Sequence, residues 1–168
     1  MRSSSVQSEI RQSRPFRSKR QEATIALLRT ASVVTRAISR VLEPWALSFT
    51  QYNALRIIRG AESTGIATLA IRERMIEEGT TITRILDKLE QSGYIRRERG
   101  PDRRQVLCYP TAEGRRLLDK IDPLIDAADE EAVADVPARD LARLVDMLDA
   151  IRAANAERGA PRTMVRPR

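Results

Sequence analysis

The chain has 168 residues, of which 42% are hydrophobic, and this is enough for one folded domain with tails. It has no histidine and a single cysteine, which excludes an internal disulfide framework and leaves little material for metal or catalytic chemistry. No apolar run approaches the length of a transmembrane helix, and the N-terminus lacks the apolar core of a signal peptide. We therefore expect a cytoplasmic protein without membrane attachment.

The net charge of +7 is unevenly distributed along the chain. Residues 1–20 carry six Lys and Arg against Glu9 and have almost no apolar content, so we interpret them as a disordered basic tail. Residues 157–168 are interpreted as a second flexible basic tail. Between them, residues 79–116 sum to +4 and residues 117–156 to −6. This contrast indicates a surface that meets a polyanion, although charges kept for solubility would also fit.

Two helices are predicted ahead of the basic segment. The first is an apolar pattern from Gln21 to Leu42, which Pro44 ends because proline disfavours helical backbone in the residue before it. The second runs from Phe49 to Arg59. Ser48 and Gln51 stand at its start with the S-x-x-Q spacing of a capping box.

A third helix is predicted over Ile66–Glu77 and a fourth within Gly79–Ser92. In the fourth, apolar residues recur at i, i+3, i+4 and i+7, and this stripe consists of Ile82, Ile85, Leu86 and Leu89. The positions outside the stripe are Thr80, Thr81, Thr83, Arg84, Asp87 and Lys88. Thr80 or Thr81 is expected to cap the helix, and Gly93 to end it. Short hydroxyls followed by cations suit a helix in a DNA major groove, although ordinary amphipathic surface helices share this pattern.

A small β-hairpin is predicted next. Two short, partly apolar runs, Tyr94–Arg99 and Gln105–Tyr109, flank a turn that contains Gly and Pro. The turn concentrates Arg99, Arg103 and Arg104, whose like charges repel and give little stability. Such a hairpin tip suits contact with phosphates or insertion into a minor groove. Helix-turn-helix followed by a basic hairpin is a winged helix, which we assign to residues 49–111.

Two further helices are predicted after the hairpin. Thr111 caps one that runs to about Glu131, and Pro123 is expected to kink or divide it. The last helix spans residues 137–156 and begins with Pro137. Its apolar residues have an a/d-like arrangement and are Leu141, Leu144, Val145, Leu148 and Ile151.

The helices outside the winged helix carry apolar stripes that have no other sizeable core to join. We therefore expect residues 21–48 and 112–156 to form a dimerisation layer, with packing inside one subunit as the alternative. The predicted fold class is mainly α with a small β-hairpin wing: a winged helix-turn-helix domain flanked by N- and C-terminal dimerisation helices.

The sequence resembles the MarR family of bacterial winged-helix transcription regulators across residues 21–156. The residues that carry the resemblance are Thr81-Ile82-Thr83-Arg84, Leu86-Asp87-Lys88-Leu89-Glu90 with Gly93, Arg96-Arg97, Asp102-Arg103-Arg104, and Thr111 with Gly114. Two features depart from the family: the segment between Leu69-Ala70 and Thr81 is about two residues longer than usual, and the wing is shorter.

The resemblance implies a homodimer that binds a palindromic operator in double-stranded DNA, often a repressor released by a small, frequently aromatic ligand. By position, Thr80, Thr81, Thr83 and Arg84 would face bases, and Lys88 phosphate or base. In the wing, Asp102 would orient an arginine and Arg104 would contact the minor groove. No motif marks the ligand pocket, and no cofactor or metal is expected.

Three other functions compete with this one. An enzyme is disfavoured because a nucleophile–base pair, a metal-ligand cluster and a phosphate-binding glycine loop are all missing from the sequence. Cys108, in a predicted wing strand near several arginines, offers a thiol redox switch, although a strand cysteine is usually a small hydrophobe. The third is a winged helix used for protein contact or for unspecific architectural DNA binding, which should depend on salt and not on DNA sequence.

Overall fold

The structure is a computed structural model that describes residues 5–77, 79, 81–101 and 105–159. Its helices are α1 (Val6–Glu9), α2 (Lys19–Leu42), α3 (Phe49–Arg59), α4 (Thr68–Arg74), α5 (Ile82–Gln91), α6 (Ala112–Ala132) and α7 (Ala138–Gly159). Its strands are β1 (Ile66–Ala67), β2 (Ile95–Arg99) and β3 (Val106–Pro110). The chain divides into two compact units between Ala132 and Val133, so that α7 belongs to the second unit.

The first unit has one hydrophobic core, to which α2 to α6 and all three strands contribute. The strands form an antiparallel sheet in the order β1-β3-β2, in which Cys108 of β3 pairs with Ile66 on one side and Arg97 on the other. Helix-turn-helix followed by a hairpin is therefore confirmed as a winged helix. Across the described residues, no helix combines the length and the apolar composition that a membrane span requires.

Helix α3 begins and ends as its sequence predicts. The Ser48 hydroxyl accepts a hydrogen bond from the backbone N–H of Gln51 at 3.2 Å, and the Gln51 side chain accepts one from the backbone N–H of Ser48 at 2.9 Å. These reciprocal bonds are the predicted capping box, and they fix the direction in which the chain enters α3.

Two predictions about the N-terminal half differ from the structure. Within the predicted disordered tail, residues 6–9 form a helical turn, α1, and Glu9 pairs with Arg29 of α2 at 3.2 Å. The prediction of a helix over Ile66–Glu77 is wrong at both ends. Its first two residues form β1, because they pair with β3, and α4 ends at Arg74. Backbone pairing with a distant strand leaves no local signal in so short a segment.

The two C-terminal helices also differ from the helices that the sequence predicts there. Helix α6 continues through Pro123, so division of the helix is wrong. Buried residues on both sides of the proline, Ile121 and Ile125, hold the two halves in one helix despite the missing backbone bond. Helix α7 starts at Ala138, one residue after Pro137, whose carbonyl accepts from the backbone N–H of Asp140 at 2.8 Å.

Candidate nucleic-acid interface

Helix α5 presents a polar face and buries an apolar one. The predicted stripe is buried throughout: Ile82, Ile85, Leu86 and Leu89 are each at most 8% exposed. Thr81, Thr83, Arg84 and Lys88 are exposed, as the sequence predicts. Thr80 lies outside the described residues. The outward face therefore carries hydroxyls at its start and cations further along.

The start of α5 is not capped as expected. Thr81 occupies the N-cap position, but its side chain makes no capping hydrogen bond. The connection before it is held instead by Asn53 of α3, which is buried and accepts from the backbone N–H of Ile76 at 3.0 Å. Because the Thr81 hydroxyl makes no capping bond, it is available to a ligand at an exposed position beside Arg84 and Lys88.

The end of α5 is fixed by a backbone turn of the Schellman type. Gly93 has a φ of 74°, in the left-handed region that glycine adopts without a side-chain clash. The backbone N–H of Gly93 donates to the carbonyl of Glu90 at 2.9 Å, and that of Tyr94 donates to the carbonyl of Leu89 at 3.0 Å. The chain thus reverses sharply from α5 into the wing.

The same turn is joined to the start of α6. The Thr111 hydroxyl donates to the carbonyl of Gly93 at 2.7 Å and accepts from the backbone N–H of Gly114 at 3.0 Å. The carbonyl of Tyr94 accepts from the backbone N–H of Thr111 at 3.0 Å. A Cβ atom on Gly114 would lie 2.1 Å from that carbonyl oxygen, so only glycine fits there. This clamp, formed by Gly93, Tyr94, Thr111 and Gly114, fixes α5 relative to α6.

A carboxylate–arginine network joins the wing to α5. The Arg97 guanidinium of β2 donates to Glu90 at 2.9 and 2.6 Å and contacts Asp87 at 2.7 Å. The second Glu90 oxygen accepts from the backbone N–H of Arg97 at 3.0 Å. The bond from Arg97 lowers the pKa of Glu90, which keeps this pair charged at neutral pH. Asp87 and Arg97 therefore orient the wing, a role that sequence patterns do not reveal because the two residues lie on separate elements.

The described part of the wing leaves one predicted site residue open to solvent. Arg99 is exposed at the end of β2, whereas Arg96 stacks over the Tyr109 ring at 4.2 Å and pairs with Glu98. The hairpin closes with a 2.9 Å bond from the N–H of Gly100 to the carbonyl of Gln105. The remaining predicted wing residues, Asp102, Arg103 and Arg104, lie outside the described residues.

Burial argues against a redox switch at Cys108. Its side chain is fully buried in β3, and this burial raises the pKa of the thiol, so the reactive thiolate is disfavoured. Nor do His, Cys, Asp and Glu side chains in the described ranges come together in a group that could hold a metal ion.

A partly buried polar contact joins α3 to α6. The Tyr52 hydroxyl donates to Asp122 at 2.9 Å, and Arg59 pairs with the other oxygen of that carboxylate at 2.5 Å. Burial and the bond to Asp122 raise the pKa of Tyr52 to about 12. Sequence patterns miss this contact because Tyr52 fits the apolar stripe of α3.

This contact predicts an alkaline loss of stability. Because the folded pKa of Tyr52 is raised above its ordinary value of 10.0, its contribution to folding should be complete below pH 10 and should fall as pH rises towards 12. Tyr52→Phe removes the titrating group and serves as the matched control. Urea unfolding at several pH values should show the wild type losing more stability than the variant in that window. Equal losses would contradict the prediction.

Comparison with known proteins identifies the family to which the chain belongs. A sequence model described as MarR family matches residues 47–106, which span α3 to the first residue of β3. A solved MarR transcription factor from Planctomyces limnophilus is 31% identical, with a TM-score of 0.63, and the match covers 81% of this chain and 99% of that one. The chain belongs to the MarR family. The expected resemblance and the winged-helix fold are thus both confirmed.

Two further relatives of this MarR-family chain are matched over different shares of their own lengths. The transcriptional regulator TtmR of Methylorubrum extorquens is 35% identical over 59% of this chain, which spans only 50% of TtmR's own length. CouR from Rhodococcus jostii RHA1, solved with p-coumaroyl-CoA, is 26% identical with a TM-score of 0.68, and the match covers 81% of this chain and 95% of CouR. The similarity to TtmR accordingly concerns part of that regulator.

Proposed function

We propose that this MarR-family protein is a dimeric, sequence-specific DNA-binding transcriptional regulator that acts as a repressor. The observation that carries the proposal is the outward face of α5, where Thr81, Thr83, Arg84 and Lys88 stand exposed on a helix whose other face is buried. Arginine reads guanine, and hydroxyls bond to bases or phosphates, when such a helix lies in the major groove. The proposal extends to the wing through Arg99, Asp102, Arg103 and Arg104.

Two-fold symmetry would place the two α5 helices in successive major grooves. Their half-sites would then lie about 34–36 Å apart on a palindromic operator. Selection of duplexes from a random library tests this arrangement, because a dimeric reader should enrich two inverted half-sites at that spacing. An unspecific architectural binder, the second candidate, would enrich no common sequence.

The apolar stripe of α7 supports the dimer. None of the side chains described in this helix is buried, and Val145 and Ile151 of the stripe are 54% and 45% exposed. On α2, Leu28 is 63% exposed although Ile38 and Leu42 at the other end are buried. Exposed apolar side chains of this kind are typical of surfaces that a second subunit covers.

Charging the α7 stripe is expected to separate the subunits. Val145→Asp places a carboxylate in the stripe, so the protein should sediment as a monomer at micromolar concentration and bind its selected duplex far more weakly. Ala150→Asp is the matched control, because the helical repeat of 100° per residue puts residue 150 opposite the centre of the stripe. If both variants sediment like the wild type and bind the duplex equally well, this stripe is not the dimer interface.

We further propose that a small ligand, frequently aromatic in this family, releases the protein from DNA. The support is membership of the family together with the ligand-bound state of CouR, a neighbour at 26% identity.

A further inference from the structure

A polar groove lies between the start of α3 and the outward face of α5. It has a volume of about 270 Å³ and is lined by Ser48, Thr50, Gln51, Thr81, Arg84, Ile85 and Lys88. No carboxylate is found among these described lining residues. A larger groove, of about 480 Å³ between α4 and the base of the wing, is mainly apolar and includes Glu73. Of these two grooves, the smaller therefore has the chemistry of an anion site.

The groove offers several hydrogen-bond donors, and the cations Arg84 and Lys88 both border it. Within the described chain, neither Arg84 nor Lys88 forms an ion pair, and the Thr81 hydroxyl makes no capping bond. The Thr50 hydroxyl lies 3.1 Å from that of Ser48, which leaves it able to donate outward while it accepts from Ser48. The side-chain amide oxygen of Gln51 already accepts from the backbone N–H of Ser48, so the side-chain NH2 group of Gln51 remains as a further donor.

We propose that this groove binds one phosphodiester of the DNA backbone through Thr50, Gln51 and Lys88, a proposal that rests on the proposed DNA-binding function. A helix is about 10–12 Å across and the major groove is about 12 Å wide, so a helix within it has backbone phosphates close on either side. The groove shares Thr81, Arg84 and Lys88 with the reading face of α5. This placement assigns Lys88 to phosphate and leaves Arg84 for a base edge.

The residues newly assigned are Thr50 and Gln51, which belong to a different helix from α5. Their role is to set the register of the protein on the duplex, because contacts to phosphate position a DNA-binding protein without providing sequence information. The capping box holds the start of α3, and with it both residues, in place before DNA arrives. The part of the site that α3 contributes is therefore already in place before DNA binds.

The test compares Thr50→Val with wild type on the selected duplex and on duplexes that carry a neutral methylphosphonate at one position at a time. Thr50→Val should lower affinity by at least about tenfold, since a hydrogen bond to a charged group is removed in both subunits. Specific and scrambled duplexes should lose the same factor. At one methylphosphonate position in each half-site, the variant and the wild type should bind equally.

Three controls separate this site from other causes. Thr50→Ser keeps the hydroxyl and should restore binding, and Thr24→Val, an exposed threonine on α2, should have no effect. Lys88→Ala should reduce the slope of log affinity against log salt by about 0.9 for each phosphate that the lysine no longer neutralises, whereas Thr50→Val should leave the slope unchanged. Unfolding curves of all variants verify that each is folded.

The proposal is overturned if Thr50→Val binds like the wild type, or if its weaker binding persists at every methylphosphonate position. A free anion is the alternative occupant of the groove. In that case inorganic phosphate would stabilise the wild type but not Thr50→Val, and DNA affinity would be the same for both proteins, which would also overturn the proposal. In each case an intact preference for the selected duplex would leave the proposed function standing. Absence of any preference in the wild type would instead reject the proposed function.

Discussion

Arg84→Ala is expected to abolish most of the discrimination between the selected duplex and a scrambled one. A bidentate arginine–guanine pair contributes about 1–3 kcal/mol of discrimination, and a dimer makes it twice, so the loss should be about 2–6 kcal/mol, or roughly 30-fold to 20,000-fold. Arg84 is the longest exposed donor among the first residues of α5, and it follows the hydroxyls of Thr81 and Thr83. Its position suits a base edge for this reason.

The control for this variant is Arg36→Ala, which removes an equal charge from an exposed position on α2. Fluorescence anisotropy with both duplexes measures the two affinities under one salt condition. Arg36→Ala should change neither affinity by much. If Arg84→Ala weakened both duplexes by the same factor, Arg84 would contact phosphate and the assignment of base reading to it would be wrong.

Gly114→Ala is expected to cost at least about 2 kcal/mol of the free energy of unfolding, because overpacking against a rigid backbone is among the costly substitutions. The added Cβ would lie 2.1 Å from the Tyr94 carbonyl oxygen, which itself accepts from the N–H of Thr111. To remove this clash, the start of α6 has to move away from the turn that ends α5. The variant should therefore also bind DNA less tightly at temperatures where it remains folded.

Gly60→Ala is the matched control, since a Cβ there would meet its nearest atoms at 3.5 and 3.7 Å and Gly60 has a φ of −64°. Urea unfolding followed by circular dichroism compares the two variants. Gly60→Ala should be near neutral. A Gly114→Ala protein as stable as the wild type would show that the clamp between α5 and α6 is not rigid.

The sequence predicts best where local chemistry decides the structure. Helix α3 is bounded as expected because a capping box and a regular apolar stripe agree. The buried stripe of α5 and the left-handed Gly93 follow from periodicity and from a conformation that glycine favours. These features need only neighbouring residues, which is why α5 and its outward side chains could be located in advance.

The sequence predictions fail where contacts between residues far apart in the chain determine the structure. The pairing of β1 with β3 overrides the helical pattern that begins at Ile66. The bond of Tyr52 to Asp122 joins residues from separate helices, and the bond between Arg97 and Glu90 depends on the turn at Gly93. The groove beside α5 likewise combines residues of α3 and α5, so Thr50 and Gln51 could be identified only after the helices were placed.

The affinity of the wild-type protein for the selected and scrambled duplexes across a salt series distinguishes a sequence-specific regulator from an unspecific DNA binder. A sequence-specific regulator should prefer the selected duplex by about a thousandfold or more at physiological salt. Raising the salt should weaken binding to both duplexes, since counterion release accompanies every phosphate contact. Equal affinity for the two duplexes at every salt concentration would show that this basic protein binds DNA only through unspecific attraction, and it would reject sequence-specific regulation.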